Sequence, residues 1–126
     1  MEKRDHELVE QARELIKKRF LEDRHHIASV LRTASGQIFE GVHIEVYVGR
    51  MTVCGEAVAI GAAATAGDTD IDTIVAVDET GRVVSPCGMC REMIVDYSPG
   101  AKVILKVGDD LKVVPARDLL PYPYDQ

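Results

Sequence analysis

Two short blocks, Cys54-Gly55-Glu56 and Pro86-Cys87-Gly88-Met89-Cys90, contain every cysteine of the chain and one acid between them. A fold for this sequence must bring them together. Three thiolates give a tetrahedral Zn²⁺ three protein ligands and leave the fourth position for water, the arrangement of a catalytic site and not of a closed structural one. A metal held this way lowers the pKa of its water toward neutrality. The spacing therefore points to a zinc ion held by Cys54, Cys87 and Cys90, with Glu56 beside it.

Composition narrows the setting. At 126 residues, 46% hydrophobic and 29% charged, residues 1–126 suffice for one core and one domain. No apolar run reaches the ~20 residues of a membrane span. The start, Met1 to His6, has no apolar stretch of signal-peptide type, so the expected compartment is the cytoplasm. An odd number of cysteines in so short a chain argues against a disulfide framework. Net charge is −6, and the one dense basic run is Lys17-Lys18-Arg19. At a helix end that run complements the dipole and reads as a solvated face. A polymeric nucleic-acid substrate is thus disfavoured.

Apolar residues recur at helical spacing over 4–20. Two extended runs follow, 27–33 and 37–46, joined by the hairpin chemistry of Ala34-Ser35-Gly36. Residues 52–66 are Ala-rich and read as a helix, with Thr52 as cap and Gly67-Asp68 as stop. Strands are expected at 71–78 and 101–107, with a shorter one at 112–114. A helix should begin near Cys87, after Pro86, and end at Ser98-Pro99-Gly100. A last helical turn is read at 115–120. The order α-β-β-α-β-α-β-β-α is that of an α/β sandwich, with helices on both faces of one mixed sheet.

On this reading Cys54 and Cys87 both start helices, so two positive dipole ends face the thiolates. Three thiolates on Zn²⁺ carry a formal −1, which those dipoles and the adjacent Arg91 can offset. Glu56 is too close to Cys54 on a helix to share its metal comfortably. It suits a general base and acid beside the water. Other readings stand beside this one. Cys87 and Cys90 could form a redox pair. His25, His26 or His43 could supply a fourth ligand and close the site, and Glu56 could be an ordinary helix-start acid.

At these residues the sequence resembles the cytidine deaminase family, whose zinc signature pairs Cys-x-Glu with Pro-Cys-x-x-Cys. The likeness runs from Ile27 to about Pro121. Ser85 to Glu92 is similar to both the small free-nucleoside deaminases and the blasticidin S deaminases. The resemblance implies a three-layer α/β/α sandwich with one mixed, mainly five-stranded sheet. It implies one Zn²⁺ per subunit on Cys54, Cys87 and Cys90, and proton transfer by Glu56. The implied activity is hydrolytic deamination of a free aminopyrimidine nucleoside or related amino-heterocycle, of the cytidine-to-uridine type, releasing ammonia in pyrimidine salvage. The alternative is a detoxifying enzyme acting on a cytosine-containing antibiotic such as blasticidin S, or on a non-nucleoside amino-heterocycle. The three-cysteine site and the Leu119-Leu120-Pro121 tail look like the homotetrameric branch, with a dimer as the smaller possibility.

The substrate segment departs from the family pattern. Where cytidine deaminases carry Asn-Val-Glu-Asn and then a Tyr, this chain has His43-Ile44-Glu45-Val46, with Gly49 in place of the Tyr. Glu45 is kept and His43 replaces the first Asn, so by resemblance this pair binds substrate. Altered hydrogen-bonding positions change which analogues a site accepts. His25 stands where an aromatic near the base is usual. His26 and His25 read equally well as polar residues at a strand start. Tyr122 and Tyr124 could reach a neighbouring subunit or cover a core edge. Two other classes remain open, a nucleic-acid-directed deaminase and a non-catalytic zinc-stabilised protein.

Overall fold

The turn at Gly36 folds the first two strands back on each other. Gly36 has φ +89°, a left-handed conformation that a residue without Cβ adopts freely. Its N–H donates to Thr33 O at 2.9 Å. Asp68 braces the turn from the far end of a helix, accepting from Thr33 Oγ1, Ser35 Oγ and Gln37 Nε2 at 2.7–2.8 Å. The residue expected only to stop a helix thus also organises a hairpin.

The computed structural model describes residues 1–124. Helix α1 spans Lys3–Arg19, followed by strands β1 (Ile27–Thr33) and β2 (Ile38–Val42). A 3₁₀ turn at Gly49–Met51 leads to α2 (Gly55–Thr65), then β3 (Ile71–Asp78), α3 (Gly88–Tyr97), β4 (Lys102–Val107) and β5 (Asp110–Pro115). A second 3₁₀ turn covers Ala116–Leu119. The sheet order is β2-β1-β3-β4-β5, with β3 and β4 parallel and the other neighbours antiparallel. The sandwich with a mixed five-stranded sheet is therefore as expected.

Each face of the sheet has its own core. Leu8, Val9, Ala12 and Ile16 of α1 pack on Ala28, Val30, Val75, Val77 and Ile104. On the opposite face, Ala59, Ile60 and Ala63 of α2 and Ile94 of α3 cover Leu31, Ile74, Val103 and Leu105. Central strands covered on both faces carry near-continuous apolar runs, which is why β3 reads Ile-Val-Ala-Val.

Helix α2 lies unusually close to the sheet edge. A Cβ built on Gly41 of β2 would stand within van der Waals overlap of Ala59 N, Gly55 O and Val58 C. The small residues of α2 permit this approach, and the approach fixes where the helix begins.

Two boundaries next to the cysteine cluster differ from the sequence reading, and β5 is longer than the expected 112–114. Strand β2 ends at Val42, not Val46, because after His43, whose N–H still reaches Ile27 O, the chain folds on itself. Ile44 and Val53 exchange backbone hydrogen bonds at 2.9 Å, while Glu45 N–H turns to Arg24 O at 3.0 Å. Helix α2 is capped by Cys54, not Thr52. Thr52 has extended backbone, and Val53 is still paired across the loop, so no residue before Cys54 is free to start a helix.

Candidate metal and catalytic site

Cys54 and Cys87 occupy the N-cap positions of α2 and α3. The two helices approach through their N-termini, so orphan backbone N–H groups point at the space between the thiols. Cys90 lies one turn into α3 and is buried. The Sγ atoms of Cys54 and Cys87 stand 3.5 Å apart, and all three thiols lie within 4.8 Å of one another. A tetrahedral zinc with Zn–S bonds of about 2.3 Å needs sulfurs about 3.8 Å apart. The donor set fits that ion.

The helix end acts unequally on the thiols. Burial opposes ionisation of Cys87, yet the backbone N–H groups of Cys90 and Met89 hold its thiol below the ordinary cysteine value. Burial, and then the neighbouring thiol of Cys87, pushes Cys54 up. Cys90 is pushed further up, by burial first and by the nearby Glu56 carboxylate second.

Glu56 sits in the first turn of α2 and is only 5% exposed. Burial raises its pKa against the pull of its own backbone N–H. A carboxyl raised in this way holds a proton more readily than one in water, as a group that both takes and returns protons must.

The nearby loop carries a second set of polar contacts. Glu45 accepts from His43 Nε2 at 2.9 Å on one oxygen and from Thr52 Oγ1 at 3.0 Å on the other. These bonds, His43 first and Thr52 second, hold the Glu45 carboxyl below the ordinary glutamate range. The other ring nitrogen of His43, Nδ1, accepts from His26 N–H at 3.1 Å. His25 Nδ1 donates to His43 O at 2.8 Å.

The structure brings the three cysteines together as expected, with Glu56 one turn into the same site. It does not bring a histidine to the thiols. Among the described residues the metal-capable cysteine group contains no His, and each of His25, His26 and His43 has a protein partner of its own. The closed four-ligand reading therefore has no fourth ligand. Arg91 donates from Nε to Pro86 O at 2.8 Å and from Nη1 to Leu119 O at 3.0 Å, tying the loop before Cys87 to the C-terminal turn. The bond from Thr52 to Glu45 has no sequence signature, because a Thr ahead of an Ala-rich run reads as a helix cap.

The comparisons with known proteins bear on the same residues. The family model for the cytidine and deoxycytidylate deaminase zinc-binding region matches residues 2–106. The chain belongs to the cytidine deaminase family. Its membership is supported by a blasticidin-S deaminase of Bacillus cereus, 46% identical, covering 95% of this chain and 91% of the relative. A cytidine deaminase of Halalkalibacterium halodurans is 31% identical, covering 78% of this chain and 76% of the relative. Among solved structures, a cytidine deaminase from Burkholderia pseudomallei superposes with TM-score 0.80 at 28% identity, covering 98% of this chain and all of that one. As a member of this deaminase family the chain is a hydrolytic enzyme, and its cofactor is zinc.

Proposed function

We propose that the protein deaminates a free cytosine nucleoside or a nucleoside-like amino-heterocycle, with Cys54, Cys87 and Cys90 as ligands of one zinc ion per subunit and Glu56 as the proton carrier. The observation that carries this is Glu56, a buried acid with a raised pKa in the first turn of the helix that Cys54 caps. Zinc held by Cys54, Cys87 and Cys90 would supply a Lewis acid that makes water a stronger nucleophile at neutral pH. With that zinc in place, Glu56 would serve as the base that takes a proton from the attacking water as the water oxygen adds to the amine-bearing carbon. Glu56 would pass that proton to the adjacent ring nitrogen, then take the second proton from the hydroxyl of the adduct and deliver it to the leaving amine as the carbonyl forms. The C–N bond breaks and ammonia departs.

The N-terminal amides of α2 and α3 offset the excess negative charge of three thiolates. Arg91, next to Cys90 in sequence, adds a positive charge while bracing the Pro86 carbonyl. Glu45, half-exposed and ionised, anchors the rest of the substrate, with His43 beside it. The net charge of −6 argues against a nucleic-acid substrate.

A second reading has its own support. The 46% identity to a blasticidin-S deaminase extends over 95% of the chain, against 31% over 78% for the cytidine deaminase compared above. A role in detoxifying a cytosine-containing antibiotic thus stands beside one in nucleoside salvage. Ammonia release from cytidine, deoxycytidine, blasticidin S and free amino-heterocycles decides between them. Turnover of none of these by the zinc-loaded protein would sink both.

The working form we infer is a cytoplasmic homotetramer. No helix among the described residues is long and apolar enough to cross a membrane. Tyr47, Val48 and Met51 at one loop tip, with Tyr122 and Tyr124 in the tail, are exposed and apolar or aromatic, as subunit contacts require. Sedimentation of the purified protein as a monomer at micromolar concentration would count against this assembly.

A further inference from the structure

His43 replaces a residue type that would be free to touch substrate, yet in this structure its ring has no free hydrogen-bonding atom. Nδ1 accepts the His26 backbone N–H at 3.1 Å. A nitrogen that accepts carries no proton, so in the neutral ring the proton belongs to Nε2. Nε2–H then points at Glu45 Oε1, 2.9 Å away. The side chain of His43 is 13% exposed, against 44% for Glu45.

The surrounding backbone fixes this arrangement from several directions. His43 N–H donates to Ile27 O at 2.9 Å, and Glu45 N–H donates to Arg24 O at 3.0 Å. Arg24 Nη1 returns a bond to Glu45 O at 3.0 Å, and His25 Nδ1–H holds His43 O. Residues 24–27 thus form a strap across 43–45. Between His43 and Glu45, Ile44 pairs with Val53, the residue before the metal-ligating Cys54. The strap therefore holds the Glu45 carboxylate in register with the zinc end of α2.

We propose that His43 is a positioning residue: its ring, set by the His26 backbone N–H, orients the Glu45 carboxylate, and Glu45 alone of the pair contacts substrate. The proposal rests on the deaminase site described above. His43 and Thr52 each occupy one carboxylate oxygen, and the Glu45 side chain, 44% exposed, keeps lone pairs on both for a further donor. The pair then offers substrate acceptors only, where an Asn would offer a donor as well. Such a subsite takes a hydroxyl or a cationic nitrogen and rejects an anionic group.

A mutant cycle on the zinc-loaded enzyme tests this with cytidine and blasticidin S as substrates. Loss of one charge-assisted hydrogen bond to Glu45 should raise KM about tenfold in His43→Ala, with kcat changed far less. His43→Gln, whose amide N–H reaches as far as Nε2, should recover most of that loss. In a Glu45→Ala background, His43→Ala should add nothing. An additive further rise in KM would mean that His43 touches substrate itself, and would overturn the proposal. A second readout needs no turnover. In the ¹⁵N spectrum of histidine-labelled, zinc-loaded wild-type protein, a protonated Nε2 and an unprotonated Nδ1 on His43 are expected, and the opposite tautomer would refute the geometry. If neither substrate released ammonia, the substrate reading would fall while the tautomer still decided the role of His43.

Discussion

Cys54 and Cys87 hold their sulfurs 3.5 Å apart from the N-caps of two different helices. Cys54 makes no hydrogen bond that would cap its own helix, and its thiol faces that of Cys87 across the junction. Two dipoles of the same sense would repel each other at this junction. A dication surrounded by thiolates, carrying net negative charge, converts that repulsion into attraction at both helix ends. The metal is thus expected to be part of the stability of the fold as well as of its chemistry.

Cys87→Ala removes one of the three clustered thiols. Bound zinc should fall by more than the ~10–100-fold in affinity that losing an outer-shell partner costs. Metal analysis of the purified variant checks this, and an unchanged zinc content would show that the ligand set is wrong. Stripping zinc from the wild type with a chelator should lower Tm, and the loss should depend on free zinc concentration, as linkage requires.

Glu56→Gln keeps the shape of a buried side chain and removes its ability to carry a proton. Zinc content should be retained while turnover falls by at least about 10²–10⁴, the usual contribution of a general acid and base. A variant with full activity and full zinc would remove Glu56 from the mechanism.

The site was legible where chemistry demands particular residue types at fixed spacing. Cys54, Glu56, Cys87 and Cys90 could be assigned to helix starts because Pro86 and the Ala-rich stretch mark those starts. The substrate segment was not legible to the same depth. The partners of His43 and Glu45 come from His26 and Thr52, at separations of 17 and 7 residues, and one of them is a backbone N–H that no side-chain pattern announces. The end of β2 was misplaced for a related reason. Residues 43–46 look extended, and they are, but Ile44 pairs with Val53 across its own loop. A strand pattern does not state its partner.

Gly41 gives a direct test of the contact that sets α2. A Cβ at this position would overlap the backbone at Ala59 and Gly55. Backbone atoms cannot rotate away, so Gly41→Ala should displace the helix. A loss of about 1–3 kcal/mol or more is expected from denaturant unfolding. Because α2 carries Cys54 and Glu56, kcat of the folded fraction should fall as well. Wild-type stability and kcat in this variant would show that α2 does not sit where described.

Arg32 anchors the opposite face. Its Nη2 reaches Asp5 Oδ1 at 3.0 Å on α1 and Asp72 Oδ2 at 2.8 Å on β3, and it bonds Thr73 Oγ1 at 3.1 Å. The Arg32 and Asp5 side chains are 8% and 9% exposed. Removing one partner of a buried pair leaves the other charged and unsolvated, so Arg32→Ala should cost about 3–5 kcal/mol. Zinc content and kcat of the folded fraction should not change, since α1 lies across the sheet from the thiols. The same network has a pH signature. Burial opposes ionisation of Asp72, but Arg32 and then Thr73 win and hold its pKa below the ordinary aspartate value. A depressed carboxylate stabilises the fold above its unfolded pKa of about 3.9 and loses that contribution as pH falls through the lower folded value. The urea midpoint should therefore drop below about pH 4, and the drop should be shallower in Asp72→Asn. An equal acid dependence in that variant would place the acid-sensitive group elsewhere.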